Sequence, residues 1–118
     1  MKKPRISVVI PSYNEEKNIQ RTLLKLNHQT IPRADYEIII VDGNSTDKTR
    51  EIAEAMGAKI IMQKREGVGG ARNDGFLAAK ADFVATTDAD CIVPNQWLEI
   101  FLEDFQNPRV VAVTGPDG

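Results

Sequence analysis

Tyr36-Glu37-Ile38-Ile39-Ile40-Val41, followed by Asp42-Gly43-Asn44-Ser45-Thr46-Asp47, is the stretch that decides the fold. Ile38 to Val41 is a continuous apolar run. A strand wetted on one face would alternate, so this run reads as a strand covered on both faces. The polar segment behind it reads as a turn that opens a helix. Ile52, Ala53 and Met56 supply that helix's inner face, and Gly57 suits the position just past its end.

The same alternation continues on both sides. Upstream, Arg5 to Ile10 reads as a β-branched strand ending at Pro11. Ser12-Tyr13-Asn14 is then a loop, with Asn14 as helix N-cap and Glu15 and Glu16 in the first turn. Ile19, Leu23 and Leu26 form an i, i+4, i+7 stripe. Downstream, Lys59 to Gln63 is a third strand, Lys64 to Gly70 a charged Gly-rich loop, and Ala71 to Lys80 a helix weakened by Gly75. Asp82 to Thr87 is the fourth strand. Pro94 opens a last helix with the stripe Leu98, Phe101, Leu102 and Phe105, and Val110 to Thr114 is a fifth strand. Strand-helix alternation of this kind predicts an α/β domain with a mainly parallel sheet and helices on both faces. Ligands of such sheets bind beyond the carboxyl ends of the strands. The unusual polar residues of this chain follow its strands, so four loops are expected on one rim.

Composition narrows the function. The chain has 118 residues, 42% apolar and 27% charged, which suits one domain with a real core. The net charge of -2, with Lys and Arg dispersed, argues against a nucleic-acid surface. No apolar run approaches membrane-spanning length, and Ile6 to Ile10 is too short for a signal-peptide core. The single cysteine, Cys91, excludes an internal disulfide and a multi-cysteine zinc site. A cytoplasmic protein is the expectation. Cys91 and Trp97 read as packing residues, His28 as a surface residue, and Lys48, Arg50, Glu51 and Glu54 as a solvated helix face.

Asp88-Ala89-Asp90 follows the fourth strand. Two carboxylates at a strand end can converge on Mg2+ or Mn2+, which bind through one or two carboxylates plus substrate phosphates. Gly67-Val68-Gly69-Gly70-Ala71-Arg72-Asn73 is neither a P-loop nor a dinucleotide fingerprint. It is a turn at a helix start, either an anion contact or a plain connection. Asp42 stands after the second strand as Asp88 does after the fourth, as a ligand contact or a turn residue. Tyr13 offers an aromatic face.

Together these segments resemble the nucleotide-sugar-binding half of a family 2 glycosyltransferase. The matching pieces are Ser7 to Glu16, Glu37 to Asp47, Gly70 to Gly75 and Thr87 to Asp90, with Pro94 and Trp97-Leu98-Glu99 behind them. The resemblance implies a Rossmann-like GT-A nucleotide-diphospho-sugar-binding fold, here truncated. It implies that the loop containing Pro11, Tyr13, Asn14 and Glu15 wraps the nucleoside, with Tyr13 near the base. Asp42 would hydrogen-bond the base, most often uracil, and Arg72 would lie near the base or diphosphate. Asp88 would contact the ribose or the metal's hydration shell, and Asp90 would bind Mn2+ or Mg2+. The sequence departs from the common pattern at Gly43, where a second aspartate is frequent.

The implied reaction is sugar transfer from a nucleoside diphosphate, a UDP-sugar by preference, to an unknown acceptor hydroxyl, with inversion. The general base is expected beyond Gly118, Glu103 and Asp117 being poor substitutes, so the 118-residue chain is expected to be inactive alone. A missing acceptor half would leave apolar surface open to homo-oligomerisation. Membrane association of a full-length protein stays open. Two other readings are a nucleotidyltransferase, disfavoured because Pro11 to Glu15 is neither basic nor Gly-rich, and a non-catalytic binding or scaffold domain that keeps the fold without the activity.

Overall fold

The computed structural model describes residues 3–104 and 112–114. Five strands form one sheet: β1 (Ile6–Ser12), β2 (Tyr36–Asp42), β3 (Lys59–Met62), β4 (Phe83–Thr86) and β5 (Ala112–Thr114). Their order is β3-β2-β1-β4-β5, and every pairing is parallel. Four helices alternate with them: α1 (Ile19–Leu26), α2 (Thr49–Ala55), α3 (Gly67–Ala78) and α4 (Trp97–Asp104). A short 3-10 turn at Arg33–Asp35 leads into β2. The expected fold class is the observed one. Phe105, Val110 and Val111 of the expected last elements, and Asp117, lie outside the described residues.

The pleat of β1 and β2 explains why both strands are apolar throughout. Ile6, Val8, Ile10, Ile38 and Ile40 pack with Ile19, Leu23 and Leu26 of α1, Ala53 of α2, and Leu98 and Phe101 of α4. Val9, Ile39 and Val41 face the other way, onto Ala71 of α3. Helices therefore cover both faces, three on one and α3 on the other. Each fully buried aliphatic contributes about 1.5–3 kcal/mol of transfer free energy. Cys91 and Trp97 are buried in the first core, and His28 is exposed, as expected.

Four local expectations change. β1 runs through Pro11 instead of stopping there. Val9 accepts a hydrogen bond from the Thr87 N–H, so that edge of the strand faces β4, and Pro11 two residues on faces the same way. The last β1–β4 pair is Val9 with Thr86, so the N–H that Pro11 lacks would point where no strand continues. Asn14 is not an N-cap, because α1 begins at Ile19. It adopts φ of 51° in the loop, a conformation asparagine tolerates. α3 starts at Gly67, not Ala71, because Asp74 reaches back to the Lys64 and Arg65 N–H groups and shortens the loop. Arg50 is not simply solvated, since it pairs with buried Asp42.

Gly75, read in sequence as a weakness of α3, permits its close approach to the sheet. A Cβ there would stand 2.2 Å from Val9 Cγ1 and 3.1 Å from Val41 Cγ2. A Gly75→Ala variant should lose about 1–3 kcal/mol by overpacking, despite alanine's better helix propensity. Urea unfolding checks this, and an unchanged or raised midpoint would contradict the close packing.

Candidate active site at the carboxyl rim of the sheet

All five strands point the same way, so their carboxyl ends share one rim. β1 and β4 are neighbours although they are distant in sequence, which makes the gap between them the switch point of the sheet. A cavity of about 350 Å³ opens there. Pro11, Ser12, Tyr13 and Glu15 line it from the β1 end, and Asp88, Ala89 and Asp90 from the β4 end. Gln63, Gly67, Val68 and Ala71 close the third side. Tyr13 is 59% exposed, so its ring is available to a ligand.

The two carboxylates are held from behind. The Thr22 hydroxyl of α1 donates to the Ala89 carbonyl at 2.7 Å, between Asp88 and Asp90. Gln29 donates to the Pro94 carbonyl and accepts from the Leu98 N–H, both at 2.9 Å. The backbone from Ala89 to Leu98 is thus tied to α1 and the segment that follows it, while Asp90 stays exposed and Asp88 partly so. Arg72 Nη2 lies 3.5 Å from Asp88 Oδ1, and its buried Nε has no partner among the described residues. The Ser12, Thr86 and Thr87 hydroxyls at the same rim are also buried without a partner there. Such groups are costly unless a ligand or water meets them.

The loops after β1 and β2 are locked together by reciprocal bonds. Asn14 donates its N–H to Ser45 Oγ (2.9 Å) and accepts from the Thr46 N–H through its side chain (2.8 Å). The Glu15 N–H donates to Thr49 Oγ1 and the Glu16 N–H to Asp47. The Lys48 N–H returns a bond to Glu16. Asp47 pays a desolvation cost, but hydrogen bonds from Thr49, then from the Glu16 N–H, hold its carboxyl below the ordinary range.

Asp42 anchors this lock and is kept out of the cavity. It is fully buried, with Oδ2 accepting from the Ser45 N–H (2.8 Å) and Arg50 (2.9 Å), and Oδ1 accepting from Ser45 Oγ (2.6 Å). The structure therefore brings Pro11, Tyr13, Glu15, Asp88 and Asp90 to one cavity, with Arg72 against Asp88. It gives Asn14 to the loop lock and Asp42 to Ser45 and Arg50. Sequence reading missed Gln63. Gln63 follows β3 as Asp42 closes β2, a signal hidden by assigning it to the strand.

The donor set fits a hard divalent cation. Asp88 and Asp90 offer carboxylate oxygens from one turn. Among the described residues no group of three His, Cys, Asp or Glu forms a complete protein cage.

Residues 7–117 match the profile of glycosyl transferase family 2. The chain belongs to that family. It is 38% identical over 118 residues to glycosyltransferase AglE of Haloferax volcanii, and 41% identical over 110 residues to that organism's dolichyl-phosphate hexose transferase. These alignments cover 95% and 93% of this chain but only 39% and 46% of those relatives. Among solved structures, the Pyrobaculum calidifontis mannosyltransferase in complex with GDP-Man and Mn2+ superposes with a TM-score of 0.79 at 31% identity. That match covers 92% of this chain and 34% of the mannosyltransferase. Staphylococcus aureus TarS in complex with UDP gives 0.79 at 30% identity, covering 86% of this chain and 32% of TarS. The GT-A-like architecture expected of a family 2 domain is thus the one this chain adopts. Among the described residues no helix is long and apolar enough to cross a membrane.

Two predictions follow from the buried carboxylates. Asp42→Ala should cost about 2 kcal/mol in urea unfolding, because Ser45 and Arg50 lose their shared acceptor. A change below about 0.5 kcal/mol would show that the lock does not depend on Asp42. Asp74 accepts from the Arg65 N–H, then the Lys64 N–H, and from the Arg65 guanidinium, which hold its carboxyl below the ordinary range. Its stabilisation is therefore present above the unfolded-state value of about 3.9 and lost as pH falls through its lower folded value. The gap in urea midpoint between wild type and Asp74→Asn should be full at pH 7 and shrink below about pH 4. A gap independent of pH would contradict it.

Proposed function

We propose that this rim cavity binds a nucleoside-diphosphate sugar, a UDP-sugar by preference, and that the whole protein transfers the sugar to an acceptor hydroxyl with inversion. The observation that carries this reading is that one cavity joins the Tyr13 ring to the Asp88 and Asp90 carboxylates across the ends of several strands. A nucleotide needs those two surfaces at opposite ends. Relatives support it: the Pyrobaculum mannosyltransferase is in complex with GDP-Man and Mn2+, and TarS with UDP.

In this reading Pro11, Tyr13 and Glu15 flank the nucleoside, and Arg72 places a guanidinium beside Asp88 at the diphosphate end. Asp88 and Asp90 would hold Mn2+ or Mg2+. A cation held by them would supply Lewis-acid neutralisation of the diphosphate leaving group. The bond from the anomeric carbon to the diphosphate oxygen breaks as the bond to the acceptor oxygen forms. The acceptor proton passes to a general base. Glu103 lines a separate cavity with Arg5 and Leu102, which argues against it as that base. We assign the base and the acceptor site to residues outside the described ones.

Calorimetry with UDP and MnCl2 tests the binding reading. Affinity should require the metal, fall at least about tenfold in Asp90→Ala, and fall comparably in Asp88→Ala, the loss of a charged ligand. Both variants should keep the wild-type unfolding free energy within about 0.5 kcal/mol, because these side chains are partly or fully exposed. Absence of nucleotide binding with or without manganese would favour the scaffold reading instead.

A further inference from the structure

Gln63 stands immediately after β3, where its N–H bonds to the Asp42 carbonyl at 2.8 Å and extends the sheet by one residue. Its side-chain amide nitrogen donates to the Arg65 carbonyl (2.5 Å) and the Gly67 carbonyl (3.0 Å). Both partners are acceptors, so the orientation of the amide is fixed by chemistry: nitrogen toward the loop, oxygen away from it. The oxygen faces the space beside Gly43. A Cβ placed on Gly43 would lie 3.1 Å from Gln63 Oε1 and 3.6 Å from Tyr13 Cβ. Gln63 Oε1, the bare backbone of Gly43 and the root of the Tyr13 side chain therefore converge on one spot, and Tyr13 and Gln63 both line the cavity.

Distance along the rim says which part of a nucleotide reaches this spot. Gln63 follows β3, and Asp88 and Asp90 follow β4. Those strands are three spacings of about 4.8 Å apart, on the order of 14 Å. That is the scale of a nucleoside diphosphate extended from phosphate to base. With the diphosphate at the carboxylates, the base lies against Tyr13 and Gln63.

We propose that Gln63 is the residue that reads the nucleobase, its Oε1 accepting the ring N3–H of uracil. This deepens the nucleotide-sugar reading and rests on it. Cytosine carries an unprotonated N3 at the same place, and an acceptor facing an acceptor is unfavourable. Gly43 belongs to the same device. A side chain there and the Gln63 amide compete for one space, so the acceptor is supplied from β3 instead of from the end of β2, while Asp42 is committed to Ser45 and Arg50.

The test is calorimetry with UDP and CDP, both in saturating MnCl2, on the 118-residue chain. Wild type should prefer UDP about tenfold, the value of one well-placed hydrogen bond plus avoidance of an unpaired one. Gln63→Ala should bring the UDP-to-CDP ratio to within about twofold, mainly through weaker UDP binding. Adding Gly43→Asp to Gln63→Ala places a new acceptor in the vacated space and should restore the preference for UDP. This double variant separates base reading from a mere effect on the loop after β3. The proposal is overturned if wild type binds UDP and CDP equally, if Gln63→Ala keeps the preference, if it weakens both nucleotides alike, or if the double variant regains none of it. In each of these cases nucleotide still binds and the metal-diphosphate reading stands. If neither nucleotide binds wild type in manganese, that reading falls and the proposal with it.

Discussion

β1 is hydrogen-bonded in parallel on both edges, with β2 from Ile6 to Ser12 and with β4 only from Ile6 to Val9. This inequality shapes the site. Past Val9 one edge of β1 has no partner strand, and the chain after β4 turns away through Asp88. The gap exposes Pro11 and Ser12 to the cavity and sets two loops from distant parts of the sequence side by side. A proline inside a central strand is ordinarily destabilising because it removes a ladder donor. Here its missing N–H points into the gap, so the strand keeps its ladder to β2 intact.

The two walls of the gap are held by different sets of hydrogen bonds. The β1 and β2 loops are crossed by bonds between Asn14, Glu15, Glu16, Ser45, Asp47 and Thr49, with Asp42 beneath them. Their backbone donors are paired inside the protein, and their geometry is set before any ligand arrives. That preorganisation lowers the ordering cost of binding. Across the gap, Thr22 and Gln29 fix the backbone around Ala89 and Pro94 and leave the carboxylates of Asp88 and Asp90 uncovered. The same residue type thus serves two ends: Asp42 is consumed by the fold, and Asp90 is left for the solvent side.

Sequence patterning exposed the layers and the rim, because apolar periodicity reports burial directly. The unbroken Ile38 to Val41 run could only be a strand between two layers, and the Ile19, Leu23, Leu26 stripe could only face one of them. Its errors fell where a local rule met a tertiary override. Proline reads as a strand stop until the neighbouring strand is known to end first. Gly75 reads as a weak helix residue until Val9 is seen 2.2 Å from where its Cβ would be. Asp42 and Asp88 look equivalent in sequence, since each follows an apolar run. Only the placement of Ser45 and Arg50 around one, and of an open cavity beside the other, tells them apart. Gln63 was hidden for a related reason: the last residue of a strand pattern carries no sign of whether its side chain serves the sheet or the rim.

Charge decides what the cavity can accept. Glu15, Asp88 and Asp90 all line it, and Arg72 stands against Asp88. Two unit charges 4 Å apart interact by about 4 kcal/mol at the effective dielectric of a protein surface. A diphosphate brought alone to this carboxylate-rich wall would meet repulsion, with the Arg72 guanidinium already shared with Asp88. In the proposed reading, a cation bound with the anionic ligand would relieve that repulsion. The proposed ligand, a metal-diphosphate pair with its uncharged nucleoside toward Tyr13 and the end of β3, would meet this wall with its charges balanced.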